Sequence, residues 1–325
     1  MSSRLRICLS MCLSICALLG APLFATAALA QPAAAPAAGA AAPATATSPF
    51  AQARFMQVAG GGGVPLNVVD QGDPAKPAVL FIHGFRQSTL SWSLQFGSDL
   101  AKRCRLVAFD LRGHGNSGSP WQPEAYHSSR PWADDVARVI QALGLDKPLI
   151  VGWSFGGNVA MDFAALYPDV PVAGYLLTGT AGGTAASPPP PAAPVNAPPR
   201  PSVSPDLALN IGAVEASIQL LFPNPALDKA LLAQFAAAAM RVGPWVEQGV
   251  ARRPRSGKPA VAQPVTFATG GKDPLVGPAT VARLKDFFPQ ARLIDFPAAG
   301  HAVFLDEAVR FNALIDELHC GQAGS

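Results

Sequence analysis

Leu149-Ile150-Val151-Gly152-Trp153-Ser154-Phe155-Gly156-Gly157 is the stretch that decides the fold. Three large aliphatic residues run into a glycine, a serine two positions on, and a second glycine that opens a helical pattern reaching about Tyr167. A chain that turns from strand to helix around one serine must turn so sharply that its flanking positions carry almost no side chain, which accounts for Gly152 and Gly156. The turn lifts the Ser154 hydroxyl above the sheet and leaves it at a helix N-terminus, where the N–H of Phe155 can face a developing oxyanion. G-x-S-x-G alone arises by chance; a strand before it and a helix after it make it a nucleophile elbow.

On either side of this stretch, short apolar runs alternate with helical patterns. Ala78–Ile82, Arg105–Phe109, 172–177, 265–269 and Arg292–Phe296 are near-continuous apolar runs, as strands buried on both faces of a parallel sheet require. Between them, Trp132, Val136, Val139 and Leu143 fall on one helical stripe, and Phe304, Ala308, Phe311, Ile315 and Leu318 on another. Ahead of them, Arg54–Ala59 and 66–71 read as a hairpin across the glycines at 60–63. No G-K-[ST] follows those glycines, so they read as a turn and not as a phosphate loop. The pattern predicts an α/β domain over 50–320, with about eight mostly parallel strands and helices on both faces.

In such a sheet ligands gather beyond the carboxyl ends of the strands. The run Ala78–Ile82 is followed by His83-Gly84-Phe85, Arg105–Phe109 by Asp110-Leu111-Arg112-Gly113-His114-Gly115, 265–269 by Asp273, and Arg292–Phe296 by Gly300-His301. A serine hydroxyl needs a base to take its proton and a carboxylate to orient that base. Five histidines compete. His301 lies on a loop between the last strand and the terminal helix, whereas His319 ends that helix and His127 sits in a Pro- and Ser-containing loop; His83 suits a support for its own loop, and His114 a turn. Asp273 follows its strand through Gly270-Gly271-Lys272, while 172–177 is followed by Thr178-Gly179-Thr180 without a carboxylate, and Asp295 is mid-strand. Ser154, Asp273 and His301 are therefore the catalytic candidates, and Phe85 and Phe155 the oxyanion-hole candidates through their backbone N–H groups.

These motifs, in this order, resemble the alpha/beta-hydrolase family over almost all of 50–318, the turn Asp110 to Gly118 included. Within the family the wording is closest to the cofactor-free haloperoxidase and aryl-esterase branch. The resemblance implies a serine hydrolase acting on a carboxylic ester, small or aryl first, through an acyl-enzyme, with no metal and no cofactor. Thioester hydrolysis, C–C bond hydrolysis and perhydrolysis with peroxide are the alternatives on the same triad. Relatives commonly place a small helical cap after the sixth strand. Here 184–260 holds a proline tract, nine prolines in 187–205, followed by helical patterns. Leu227, Leu231, Phe235 and Val242 share one helical face; Leu231 and Phe235, with Trp153 beside the nucleophile, are candidate pocket residues, the alternative being that they only pack the cap onto the core.

A haloalkane dehalogenase or epoxide hydrolase on this fold attacks with an aspartate, and Ser154 stands against both. No H-E-x-x-H or Cys/His spacing suggests a metallohydrolase. The rival from another class is a secreted binding protein that kept the fold and lost the chemistry.

Composition agrees with a globular enzyme: 325 residues, 50% hydrophobic and 14% charged, exclude a disordered chain, and 63 glycines and prolines without a Gly-X-Y period exclude collagen. Residues 1–30 read as a signal peptide, with Arg4 and Arg6, an apolar run over 7–19, and Ala28-Leu29-Ala30 as the cleavage site. Cleavage after Ala27 and an uncleaved anchor are the alternatives. An Ala/Pro spacer over 31–49 and a short tail over 321–325 complete the expected layout, for a protein of the periplasm or the exterior with no stable membrane insertion. Loss of Arg4 and Arg6 leaves 22 basic against 21 acidic residues, which gives no case for nucleic acid or acidic membranes, and the expected partner is a small-molecule ester. Cys104 and Cys320 are then the remaining cysteines, either bridged at the sheet edge opposite the catalytic residues or both free.

Overall fold

A computed structural model of the chain describes residues 48–183, 200–204, 206–253 and 261–322. The expected signal peptide, nearly all of the spacer, most of the proline tract and the last three residues of the tail lie outside the described residues.

The expected hairpin pairs β1 (Arg54–Ala59) with β2 (Pro65–Gln71), Val58 facing Leu66. β2 then pairs antiparallel with β4 (Arg105–Phe109), the one further antiparallel contact of the sheet. β3 (Ala78–Ile82), β4, β5 (Leu149–Trp153), β6 (Gly174–Thr178), β7 (Val265–Gly270) and β8 (Arg292–Phe296) run parallel, in the spatial order β1-β2-β4-β3-β5-β6-β7-β8. β6 begins two residues later than its apolar run suggests. Pro171 has no N–H to give a ladder, and the N–H of Ala173 is spent on the Pro148 carbonyl ahead of the strand.

The central strands are buried on both faces, and alternation along them feeds two cores. Leu80 and Ile82 of β3, Val107 and Phe109 of β4 and Ile150 of β5 face α2 (Ser129–Leu143) and α3 (Phe155–Leu166). Val79, Phe81, Leu106, Ala108 and Val151 face the other way. There they meet Phe96 of α1 (Ser93–Phe96) and the terminal elements. Among the described residues the cap between β6 and β7 holds three α-helices, α4 (Leu207–Leu221), α5 (Lys229–Met240) and α6 (Pro244–Arg252). α7 (Pro278–Phe287) links β7 to β8.

Two connections are not single helices. Between β3 and β4 the chain makes 3-10 turns at Thr89–Trp92 and Asp99–Lys102 around the single turn of α1. The terminal stripe divides at Glu307 into α8 (Val303–Asp306) and α9 (Ala308–Leu318). The break lets Phe304 wedge between Trp92 and Trp153, ring centroids 4.4 and 5.0 Å away, while Phe311 and Ile315 pack on the sheet from α9. Just before β4 and just after α9, Cys104 and Cys320 form a disulfide with Cα atoms 5.5 Å apart, at the end of the sheet away from the elbow.

Candidate active site

Ser154 sits between β5 and α3 at φ 54° and ψ −117°, a region that costs a non-glycine residue about 1–3 kcal/mol and persists only where its surroundings enforce it. The enforcement is local. Its N–H donates to the Thr178 carbonyl at 2.9 Å, and its carbonyl accepts from Gly157 N–H at 3.0 Å. A Cβ on Gly152 would stand 2.8 Å from the Gly157 Cα, and one on Gly156 would run into the carbonyls of Ile82 and His83. The two glycines therefore let α3 lie against β3 and β5. Phe155 is the first residue of α3, so its N–H has no acceptor within the helix.

The candidate acid and base follow β7 and β8. His301 Nδ1 is 3.0 Å from both carboxylate oxygens of Asp273, and both side chains are about 1% exposed. Asp273 Oδ1 also accepts from the N–H groups of Leu275 and Val276 at 2.8 and 3.0 Å. Burial works against the ionised carboxyl. The His301 hydrogen bond and charge and the two amides together outweigh it and hold the carboxyl below the usual range. An ionised Asp273 places the proton on Nδ1 and leaves the lone pair on Nε2. Nε2 is buried with no hydrogen-bond partner among the described residues. Two contacts fix His301 beside the elbow: Trp153 Nε1 donates to its carbonyl at 3.0 Å, and Gly179, next to the carbonyl that holds Ser154, packs under its ring, where a Cβ would stand 3.1 Å from Cε1.

The loop after β3 is braced from beneath. His83 Nδ1 donates to the Gly84 carbonyl at 2.7 Å and Nε2 accepts from Leu111 N–H at 2.9 Å; burial pushes this imidazole down to about 4 and that of His114 to about 3, so both are neutral supports. Asp110 accepts from the N–H groups of Thr89 and Asn116 at 2.7 and 2.8 Å, which makes the Asp110 to Gly118 turn scaffold. On this base Phe85 packs edge-on to the His114 and Phe155 rings at 5.5 and 6.0 Å, and its N–H donates to no group among the described residues.

A cavity of about 250 Å³ opens over Ser154. Its walls are Phe85, Arg86 and Gln87 from the β3 loop, Val214, Ile218 and Leu221 from α4, and Leu275. Trp153, Leu231 and Phe235, the candidate pocket residues, do not line it. Trp153 ends β5 on the opposite face, its indole committed to the His301 carbonyl and to the rings of Phe222 and Phe304. Phe235 is fully buried and stacks on Phe222 at 4.7 Å, and Leu231 packs against the same cluster. α5 contributes Ala239 to the cavity and otherwise packs, and most of the helical wall is α4, whose Val214, Ile218 and Leu221 stand at helical i, i+4, i+7 spacing that the sequence carried. Arg86 was also missed; its signal was a charged side chain directly after the oxyanion candidate.

A mostly parallel sheet of this order, with the elbow serine after β5 and an aspartate and a buried histidine after β7 and β8, is the architecture of the alpha/beta hydrolases. The model of that family, described as alpha/beta hydrolase fold, matches residues 77–308, and the chain belongs to it. Among solved structures it is similar to a Burkholderia cenocepacia protein assigned as an aryl esterase, 31% identical with a TM-score of 0.73, covering 81% of this chain and 97% of that one. It is also similar to the bifunctional esterase/perhydrolase DCH of Acinetobacter calcoaceticus, 38% identical over 111 residues, 34% of this chain and 39% of that protein. Epoxide hydrolase 1 of Caenorhabditis elegans is 38% identical over 107 residues, 33% of this chain and 26% of its own length. The chain thus aligns with well under half of each of these two curated relatives.

Proposed function

We propose that this protein is a serine esterase that cleaves small carboxylic esters, aryl esters first, through an acyl-enzyme on Ser154. The reading rests on one observation: a strained elbow serine stands beside a buried His301 whose Nδ1 is bonded to Asp273 and whose Nε2 has no partner among the described residues. The ester carbonyl carbon lies at Ser154 Oγ, with its oxygen toward the N–H groups of Phe85 and Phe155. His301 Nε2 takes the hydroxyl proton as the Oγ–C bond forms. The tetrahedral oxyanion collapses, the C–O bond to the leaving group breaks, and His301 returns the proton to the departing alcohol. Water then repeats the sequence on the acyl-enzyme with His301 as base, releasing the acid. Asp273 stays ionised throughout and stabilises the imidazolium.

Similarity to the aryl esterase and to the esterase/perhydrolase supports the substrate class. An epoxide hydrolase reading needs a carboxylate where this chain has Ser154. The signal pattern and the Cys104–Cys320 bridge support export to an oxidising compartment. The test is turnover of a series of nitrophenyl esters by the mature chain and by Ser154→Ala. The variant is expected to lose most of an acceleration on the order of 10⁶-fold. Undiminished turnover would discard the triad.

A further inference from the structure

The residue after the oxyanion candidate is itself out of the ordinary. Arg86 sits at φ 60°, in the left-handed region, directly against Phe85, and both line the cavity over Ser154. A left-handed arginine persists only where its surroundings hold it. What holds it is in the cap. Arg86 Nη2 donates to Glu247 Oε2 on α6 at 2.9 Å and to the Ser202 carbonyl at 2.6 Å, a reach of 161 residues to the carboxylate. The acceptor is fixed in turn: Glu247 Oε1 accepts from Ser202 Oγ at 2.8 Å and pairs with Arg200 at 3.1 Å. The Ser202 carbonyl also accepts from Asn210 Nδ2 on α4 at 2.7 Å. Both partners of the central pair are about nine-tenths buried or more, at 10% and 8% side-chain exposure, so the contact is directional and shielded from screening water.

From this geometry we infer that Glu247 is a positioning residue of the reaction: acting through Arg86, it holds the strained loop after β3 and keeps the Phe85 N–H aligned with the oxyanion that forms at Ser154. The inference rests on the esterase reading above. It makes the cap a part of the catalytic frame as well as a cover over the cavity. A carboxylate that only fastened the cap would change stability or substrate access. One that sets an oxyanion donor changes the transition state and leaves ground-state binding in place.

The experiment is steady-state kinetics on a nitrophenyl ester for Glu247→Gln, Arg86→Ala and Arg86→Met/Glu247→Leu, with the melting transition of each recorded. Loss of one oxyanion donor typically costs 10²–10³-fold in kcat, so kcat should fall about 10²-fold in each variant while KM stays within about threefold. Affinity for an arylboronic acid, whose tetrahedral adduct on Ser154 mimics the intermediate, should fall in parallel. The single losses should not multiply in the double variant, because the two residues act as one unit. The double variant replaces a buried ion pair by apolar side chains, an exchange that is often neutral for folding, and it carries the test if Glu247→Gln does not fold. A kcat within about twofold of the parent in a folded variant, or a loss carried wholly by KM, would overturn the inference. Ser154→Ala measured alongside separates the two readings: its inactivity with an unchanged kcat in Glu247→Gln discards the positioning role alone, and its full activity discards the triad.

Discussion

α4 and α6 belong to one insertion, yet different physics fastens them to the core. α6 is held by directional contacts. Glu247 pairs with Arg86; Val246 is fully buried; Gly249 lies so close to Pro123 and Tyr126 that a Cβ would collide with both. Just past its end Arg253 pairs with Asp162 on α3, its guanidinium 5.5 Å from the Phe155 ring centroid, and burial pushes it down to about 10. α4 is held mainly by apolar area: Val214 and Ile218 face inward, while Leu207, Leu209 and Leu220 are 63%, 54% and 47% exposed on the same helix. Directional pairs fix a geometry and apolar contact tolerates a change of shape. The difference suits α6 to the alignment proposed for it and α4 to setting the shape of the cavity.

The largest effect of a single substitution should come from the α6 side. Arg253→Ala leaves Asp162 buried without its cation, and denaturant unfolding should show a loss of about 3–5 kcal/mol. A loss under about 1 kcal/mol would reduce this anchor to a surface contact. Acid should act next, on the turn beneath α6, where Gly113 packs against Val246. In the unfolded chain His83 and His114 take up protons from about pH 6.5 downward, but in the folded one only near 4 and 3. Their stabilisation is complete above about pH 6.5 and is lost as the pH falls toward 4, by about 3 kcal/mol from His83 alone. Stability that stayed flat between pH 7 and 4.5 would contradict buried neutral imidazoles.

Away from both halves of the cap, Cys320→Ser should cost about 2–4 kcal/mol and leave kcat unchanged, since the bridge lies at the opposite end of the sheet. A kcat that fell with the bridge removed would show that the far edge communicates with the elbow. The smallest effect is expected on the α4 side. Val214→Ala widens the cavity by two methyl groups and should raise kcat/KM for longer acyl chains by about tenfold relative to acetate, with kcat on acetate retained. An unchanged chain-length profile would remove α4 from substrate selection.

The elbow at Ser154 and the Asp273–His301 pair were legible in the sequence because each is fixed locally: a glycine-flanked turn, the first carboxylate after a strand, and a histidine on the loop between the last strand and the terminal helix. The two cores were legible in the uninterrupted apolar runs of β3, β4 and β5. The pocket wall was not. Leu231 and Phe235 on α5 carry the same helical spacing as Val214 and Ile218 on α4, and only the path of the chain decides which helix crosses the elbow. The break at Glu307 was hidden for a related reason, since Phe304 and Phe311 keep a helical period across it, their ring centroids 6.1 Å apart, while Phe304 reaches on to Trp153 and Phe311 to Phe296. The Arg86–Glu247 pair joins residues 161 apart, and no local pattern announces it.

A fluorophosphonate phosphonylates the same hydroxyl that an ester would acylate, so intact mass of the protein after brief exposure to one tests Ser154 as the nucleophile. The expected result is a single adduct, mapped by peptide sequencing to Ser154, loss of ester turnover in proportion to labelling, and no adduct on Ser154→Ala. Labelling that persists in Ser154→Ala, or a parent enzyme that turns esters over while remaining unlabelled, would contradict it.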